Sequence, residues 1–335
     1  MLPKIRSFSI LYIMLGKTPT GIYKKYFGIR EFIKAFPDEK ACEKRVLELK
    51  YPNGFYCSFC HHTTFYRLNG PGFKRSRLLQ CQKCKKQVSL TANTVFHGTK
   101  VSLHQWFLAI FFVTQTKKGI SGWQLSKQIG VCEATARLML YKLRREMEEK
   151  SIEYQIGGLD KIIEMDEFEV GGVNSPKQNS LILLEKQRNG RLGRVRFAVL
   201  KDETVKSLEL LAIPQIAAGS TIHSDGKKTY KKIVEKYLHR LEIKQVAHWE
   251  ESHSHAFLND LNTIVGNFKT WYRGIHHSFA LRNTAYYMNE FAYRFNRRRS
   301  EINIFERLLN RSITRARILK RSVLFSEPQY QPLAA

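Results

Sequence analysis

An α+β chain of several domains is what this sequence predicts, and three observations carry that prediction. Two Cys-x-x-Cys pairs, Cys57/Cys60 and Cys81/Cys84, stand twenty residues apart. Two helical segments meet at a tight turn containing Gly130. From Leu159 onward the pattern turns to three consecutive short strands, followed by helix, strand, helix, strand and further helices. In chain order these read as an N-terminal zinc ribbon and helix-turn-helix, then a ribonuclease-H-like mixed sheet with flanking helices. The predicted segments are 1–54 (N-terminal helical), 55–92 (zinc ribbon), 101–150 (helix-turn-helix), 158–300 (ribonuclease-H-like) and 301–335 (C-terminal helix and tail).

The helical segment comes first. Residues 29–50 read as helix, with Pro37 and the acids Asp38 and Glu39 suited to open its second part, because proline fits a first turn and carboxylates meet the helix dipole there. Tyr51-Pro52-Asn53-Gly54 stops it.

Four of the six cysteines make the ribbon. Two pairs at this separation wrap one tetrahedral Zn²⁺, each pair forming a knuckle whose backbone amides point at the sulfurs. The stretch between them, with its turn at 69–72, has the length of a hairpin. Disulfides are the alternative, but no cleavable signal peptide is evident and Cys42 and Cys132 stand alone. Four thiolates close the coordination sphere, so this zinc is structural: it stabilises a module too small to bury much core.

After the ribbon, 101–116 is strongly apolar, with Trp106, Phe107, Ile110, Phe111 and Val113, and its length makes it a buried helix. A short helix over 121–130 closes at Gly130, and a second runs from about 132 to 150. The second carries Arg137, Lys142, Arg144 and Arg145, which match the DNA-contacting helix of a helix-turn-helix. A plain helical hairpin with a solvated basic face is the alternative.

The sheet is read from strands at 161–170, 181–186 and 195–200, a helix over 204–213, a fourth strand at 221–224 and a fifth at 242–246. Helices over 257–273 and 282–298 follow. Acids inside a β-forming run need an explanation, and alternation in the first strand puts Glu164 and Asp166 on one face, Glu167 and Glu169 on the other. Asp225 ends the fourth strand, which neighbours the first in this fold, so the two aspartates converge. Two converging carboxylates make a Mg²⁺ or Mn²⁺ site, and a pair of such cations ~4 Å apart suits phosphodiester chemistry. Taken alone, Asp225-Gly226 is a turn signal. In the next helix Asn262 and Lys269 are seven apart and share a face, the first a carbonyl ligand for a hard cation, the second a phosphate contact; a wet helix face is the alternative. Arg294, Arg297 and Arg298, interleaved with aromatics, suit a grip on a phosphate backbone or else a solvated helix end. His248, His253 and His255 read as a surface loop rather than a metal cluster.

Composition bounds the partner. Among 335 residues, 43% are hydrophobic, enough for packed cores, and Lys plus Arg number 56 against 29 acids, a formal charge of +27. A basic balance spread along the chain predicts a polyanion, nucleic acid first and an anionic membrane second. The apolar patch at 8–15 is too short to cross a bilayer. A cytoplasmic, nucleoid-associated protein is the expectation.

Several motifs together resemble the bacterial insertion-sequence transposases that carry a zinc ribbon, a helix-turn-helix and a ribonuclease-H-like catalytic domain of the DDE type. The resemblance runs from about Phe32 to Arg299. In the N-terminal part it rests on Phe36-Pro-Asp-Glu-Lys-Ala-Cys42, Tyr51-Pro-Asn-Gly-Phe-Tyr-Cys57, the second cysteine pair, Thr94-Val-Phe96 and Trp106. The catalytic part matches through Asp166, Glu167, Gly171 and Gly172; through Ser224, Asp225, Gly226 and Tyr230; and through Asn262, Lys269, Gly274, His277, Glu290, Phe291, Arg294 and Phe295-Asn-Arg-Arg298. The family's third catalytic position is Glu, His or Asn, here Asn262, with Asn267 as the additional asparagine of some branches and Glu290 as the alternative acid. The resemblance narrows the polyanion to double-stranded DNA and implies metal-dependent cleavage at terminal inverted repeats and transfer of the freed strand to target DNA. Asp166, Asp225 and Asn262 would hold the catalytic cations and Lys269 would orient the DNA. It also implies a homodimer or larger assembly, since two DNA ends are held at once. A DNA-binding regulator that keeps the fold without catalysis is the alternative.

Overall fold

The computed structural model describes residues 27–68, 77–116, 118–149, 155–171, 176–225, 227–241, 244–247, 258–276, 280–299 and 304–315. The patch at 8–15, the turn at 69–72, Gly172, Gly226, the three histidines His248, His253 and His255, His277, and the tail at 326–335 lie outside them. In chain order the elements are α1 (Ile29–Ala35), α2 (Glu39–Lys50), β1 (Phe65–Arg67), β2 (Leu78–Cys81), β3 (Gln87–Ser89), α3 (Leu103–Gln115), α4 (Gly122–Ile129) and α5 (Glu133–Glu146). There follow β4 (Ile156–Gly157), β5 (Lys161–Val170), β6 (Gln178–Gln187), β7 (Leu192–Val199), α6 (Val205–Ala212), β8 (Ile216–Ala217), β9 (Thr221–Ser224), α7 (Lys228–Leu241) and β10 (Lys244–Ala247). The last are α8 (Asn259–His276), α9 (Thr284–Asn296) and α10 (Ile304–Thr314). Two units result, one from α1 through α5 together with α10, the other from Met147 to Arg299.

In the first unit the predicted helix over 29–50 is two helices, because Pro37 cannot continue α1 and Asp38 caps α2 by accepting the Ala41 amide at 2.8 Å. An aromatic cluster of Phe27, Phe32, Phe36, Phe107, Phe111 and Phe305 joins α1, α3 and α10. Glu39 accepts the Leu103 and His104 amides, both at 2.9 Å, at the N-terminus of α3, where its charge meets the helix dipole. Its Oε1 also takes Arg77 at 2.5 Å, so one carboxylate ties α2 to the ribbon and to α3. From the end of α2 the Lys50 ammonium donates to the carbonyls of Ser89, Leu90 and Ala92 at 3.1, 2.9 and 2.8 Å. The ribbon itself is an antiparallel sheet in the order β1-β2-β3.

Ser121 caps α4 and Gly130, at φ +68°, ends it in the left-handed conformation that favours glycine. Gly122 lets α5 approach closely, since a Cβ there would stand 2.5 Å from Cγ of Arg137.

The second unit is built on a sheet ordered β10-β9-β5-β6-β7. β5, β6 and β7 form an antiparallel meander, β9 runs parallel to β5, and β10 parallel to β9. Numbered by appearance this is 3-2-1-4-5, the strand order of ribonuclease-H-like folds. β6 begins earlier than the predicted 181 because Gln178, Asn179 and Ser180 pair at the ladder end, and β7 earlier than the predicted 195 because Leu192 pairs with Lys186 across a register shift. A parallel pair of two-residue strands, β4 and β8, is too short to show as a pattern in sequence.

Alternation along β5 serves two cores. Ile163 and Met165 face one that includes Leu181, Leu183, Leu208, Ile222 and Tyr230. Phe168 and Val170 face the other, with Ile182, Leu184 and the apolar stripe Leu261, Ile264, Val265 and Phe268 of α8. Glu164 shares the α8 side and is buried, yet satisfied: it accepts the Leu261 amide at 3.2 Å and pairs with Lys186 at 3.4 Å. Lys186 also pairs with Asp260. A strand carboxylate thus caps the first turn of α8, two residues before Asp166.

Candidate active site

The four cysteine sulfurs lie within 4.8 Å of one another. Cys57 to Cys84 is 3.7 Å and Cys60 to Cys81 is 3.5 Å. A tetrahedral Zn²⁺ with Zn–S of about 2.3 Å needs sulfurs roughly 3.8 Å apart, so the four thiols fit that ion. The two knuckles repeat one geometry: the Cys57 amide bonds to the His62 carbonyl at 2.9 Å, and the Cys81 amide to the Lys86 carbonyl at 3.0 Å. His61 and Lys85 hold equivalent left-handed positions at φ +61° and +58°. Hydrogen bonds from the Phe59 and Cys60 amides bring the Cys57 thiol down to about 6, which favours the thiolate that metal binding requires.

In the second unit, carboxylate oxygens of Asp166, Glu167 and Asp225 lie within 4.8 Å of one another. Fifty-nine positions separate the two aspartates in sequence. The β5/β9 ladder pairs Glu164 with His223, and continuing it by two residues sets Asp166 beside Asp225. Each aspartate spends one oxygen on a following amide: Asp166 Oδ1 accepts from Glu167 at 2.8 Å, and Asp225 Oδ1 from Lys227 at 3.1 Å. Burial, and next the neighbouring charge of Asp225, push the Asp166 carboxyl up to about 7; Glu167 adds to this, while the Glu167 amide and Lys227 oppose it. A site that strains against its own negative charge favours a cation. Lys227 supplies one from within, its ammonium 2.8 Å from Glu167, 3.9 Å from Glu203 and 4.0 Å from Asp225.

Among the remaining candidates, Asn262 sits in the first turn of α8 and is exposed, as is Asn267 in the next turn. Lys269 is half-buried, with its ammonium 5.9 Å from the Phe168 ring centre. Its pKa is lowered by burial and then by Arg273. Glu290, the alternative acid, is 1% exposed and paired with Arg294 at 3.0 Å on α9. Among the described residues the acid that gathers with the two aspartates is Glu167, not Glu290. Strand alternation hid it: Glu167 belongs to the opposite face, but it lies past the last β5 residue that β9 pairs, so no strand flanks it there.

The basic residues require correction. On α5, Lys142 is buried and donates to the Val95 carbonyl at 3.3 Å, and Arg144 is 2% exposed. Lys142 therefore serves the interior of its unit, and neither buried side chain faces DNA. Arg137 is exposed and pairs with Glu133 at 2.6 Å, and Arg145 is half-exposed. The run after Tyr293 is likewise structural. Arg294 neutralises Glu290. Arg297 is buried against Glu149 at 2.5 Å and stacks on Tyr293 at 3.8 Å. Arg298, though exposed, donates to the carbonyls of Leu192 and Gly193 at 2.7 and 3.0 Å. Between them Asn296 accepts the Val195 amide at 2.7 Å and donates to the Val195 carbonyl at 2.9 Å, closing the outer edge of β7. An interleaved aromatic–basic pattern does not say whether arginines face phosphate or their own backbone.

Comparison with known proteins adds family matches to this geometry. The ISXO2-like transposase domain matches residues 159–296, and the transposase zinc-ribbon domain matches residues 37–87, together more than half of the chain. An uncharacterized protein in transposable element ISH50 of Halobacterium salinarum is 25% identical over 138 residues, 41% of this chain and 44% of that protein. The matched stretch thus spans less than half the relative's length. A chain of the simian T-cell lymphotropic virus intasome in complex with PP2A regulatory subunit B56 gamma overlaps 51% of this chain and 63% of its own at 15% identity and a TM-score of 0.30. The catalytic core domain of BIV integrase overlaps 46% and 97% at 17% identity and a TM-score of 0.29. Strand order, rather than either overlap, defines the fold. No described helix is long and apolar enough to cross a membrane.

Proposed function

Because the chain belongs to the zinc-ribbon-bearing insertion-sequence transposases with a ribonuclease-H-like DDE-type domain, we propose that it cleaves DNA at its element's terminal inverted repeats and joins the freed 3′-hydroxyl to target DNA. The observation that carries this reading is the convergence of the Asp166 and Asp225 carboxylates, with Asp166 raised to about 7 by burial and by Asp225. Each keeps a second oxygen beyond the one its following amide occupies, as a cation cradle requires. Mg²⁺ or Mn²⁺ bound there would activate an attacking oxygen and stabilise a leaving one at a phosphodiester. Asn262 offers a neutral carbonyl ligand from the first turn of α8, and the Lys269 ammonium, two turns on, contacts the DNA backbone. The Cys57, Cys60, Cys81 and Cys84 ribbon, holding structural Zn²⁺, and the α4–α5 pair, through Arg137 and Arg145, bind the repeats. Holding two ends together calls for a dimer or larger assembly, working with DNA in the nucleoid.

Replacing Asp166 or Asp225 by Asn should abolish Mg²⁺-dependent strand cleavage on a repeat-end duplex while end binding persists. Retained cleavage by either variant would refute the assignment. Neutral Asn262, where the family also uses Glu, favours one second reading, a DNA-binding regulator without catalysis. Binding without nicking of a repeat-bearing plasmid, in Mn²⁺ and with folded zinc-loaded protein, would select it.

A further inference from the structure

A buried carboxylate beside the two aspartates has no assigned part. The Glu167 side chain is 5% exposed, and its oxygen falls within 4.8 Å of the Asp166 and Asp225 oxygens. Its two oxygens have different surroundings. Oε2 takes the Lys227 ammonium at 2.8 Å. Oε1 is buried with no donor well aligned on it. The Tyr230 hydroxyl, also fully buried, lies beside Glu167, whose charge and hydrogen-bonding carboxylate raise its pKa after burial does. A buried carboxylate that shares one point with two aspartates has the charge and the position of a cation ligand.

Charge balance points the same way. Asn262 brings no negative charge to the third position, so Asp166 and Asp225 alone would offer two charges to one or two divalent ions. Lys227 meanwhile sits among Glu167, Glu203 and Asp225 at 2.8, 3.9 and 4.0 Å, one monovalent cation placed where a divalent one would compete for the same oxygens.

We propose that Glu167 is the third anionic ligand of the divalent-cation site, and that Lys227 is an internal counter-ion which holds Glu167 until metal displaces it. The inference rests on the reading of Asp166 and Asp225 as that site. Glu167 can reach around the sheet because the β9 pairing stops at Glu164, leaving it no strand neighbour on that side.

The test is Mn²⁺ titration of the full-length, zinc-loaded protein without DNA, with free Mn²⁺ read by electron paramagnetic resonance, for the wild type and for Glu167→Gln, Glu167→Asp, Lys227→Met and Asp225→Asn. Glu167→Gln should weaken binding at least about tenfold, the low end for loss of a group that orients or completes a metal site. Glu167→Asp, which keeps the charge, should restore most of that loss, and Lys227→Met should tighten binding by removing a competing charge. Asp225→Asn should bind weakly or not at all. Wild-type affinity in Glu167→Gln, with binding lost in Asp225→Asn, overturns the role of Glu167 and leaves the aspartate site standing. Wild-type affinity in Asp225→Asn overturns the aspartate site itself. Equal weakening in Glu167→Gln and Glu167→Asp would mark a packing role and also overturn the inference, and weaker binding in Lys227→Met would overturn the counter-ion role.

Discussion

At Asp166, stability and chemistry are opposed. Its carboxyl, raised from 3.8 to about 7 in the folded chain, holds a proton more tightly there than in the unfolded chain. Between those values the folded state binds more protons, so its stability falls as pH rises from about 4 through 7, and the full cost is present above 7. Asp166→Asn removes the charge that carries the cost. The metal-free variant should therefore be more stable than wild type at pH 8 by about 2 to 4 kcal/mol, and the gain should vanish near pH 4, as urea unfolding at the two pH values will read. A site that strains its fold for function behaves this way. Asp166 and Asp225 were legible as a pair because element order alone makes their strands neighbours. Glu167 was not, since alternation describes a strand with partners on both sides and β9 has already ended beside it.

Elements take their places here through polar contacts more than the apolar pattern suggests. Glu164 was legible as an acid needing an explanation, but that its partners are the Leu261 amide and Lys186 depends on where α8 lands, which periodicity does not fix. The Arg-rich end of α9 shows the same thing. Its Asn296 amide satisfies both backbone groups of Val195, and Arg298 covers two carbonyls farther along β7. These contacts close a sheet edge that would otherwise template pairing with another chain. Asn296→Ala leaves both Val195 groups unmet and should cost about 2 kcal/mol at roughly 1 per bond, with faster aggregation on warming. A change in urea midpoint within error of wild type would remove the edge-closing role. Two helix ends, by contrast, were readable from single residues: Asp38 at the start of α2 and Gly130 at the close of α4.

Across the whole molecule, spacing carried the two decisive features. Two Cys-x-x-Cys pairs became four sulfurs at tetrahedral separations, and a strand–helix order became a 3-2-1-4-5 sheet. The excess of basic residues indicated a polyanionic partner, but composition cannot say which cations face outward, and Lys142, Arg144 and Arg297 are buried. What remains is a fold in which residues far apart in sequence are brought to one point by a parallel ladder. That point is open to direct observation by anomalous diffraction at the manganese edge from crystals grown in Mn²⁺. A peak within about 2.2 Å of carboxylate oxygens from both Asp166 and Asp225 is the predicted result. Full Mn²⁺ occupancy elsewhere in the second unit, with neither aspartate coordinating, would contradict it.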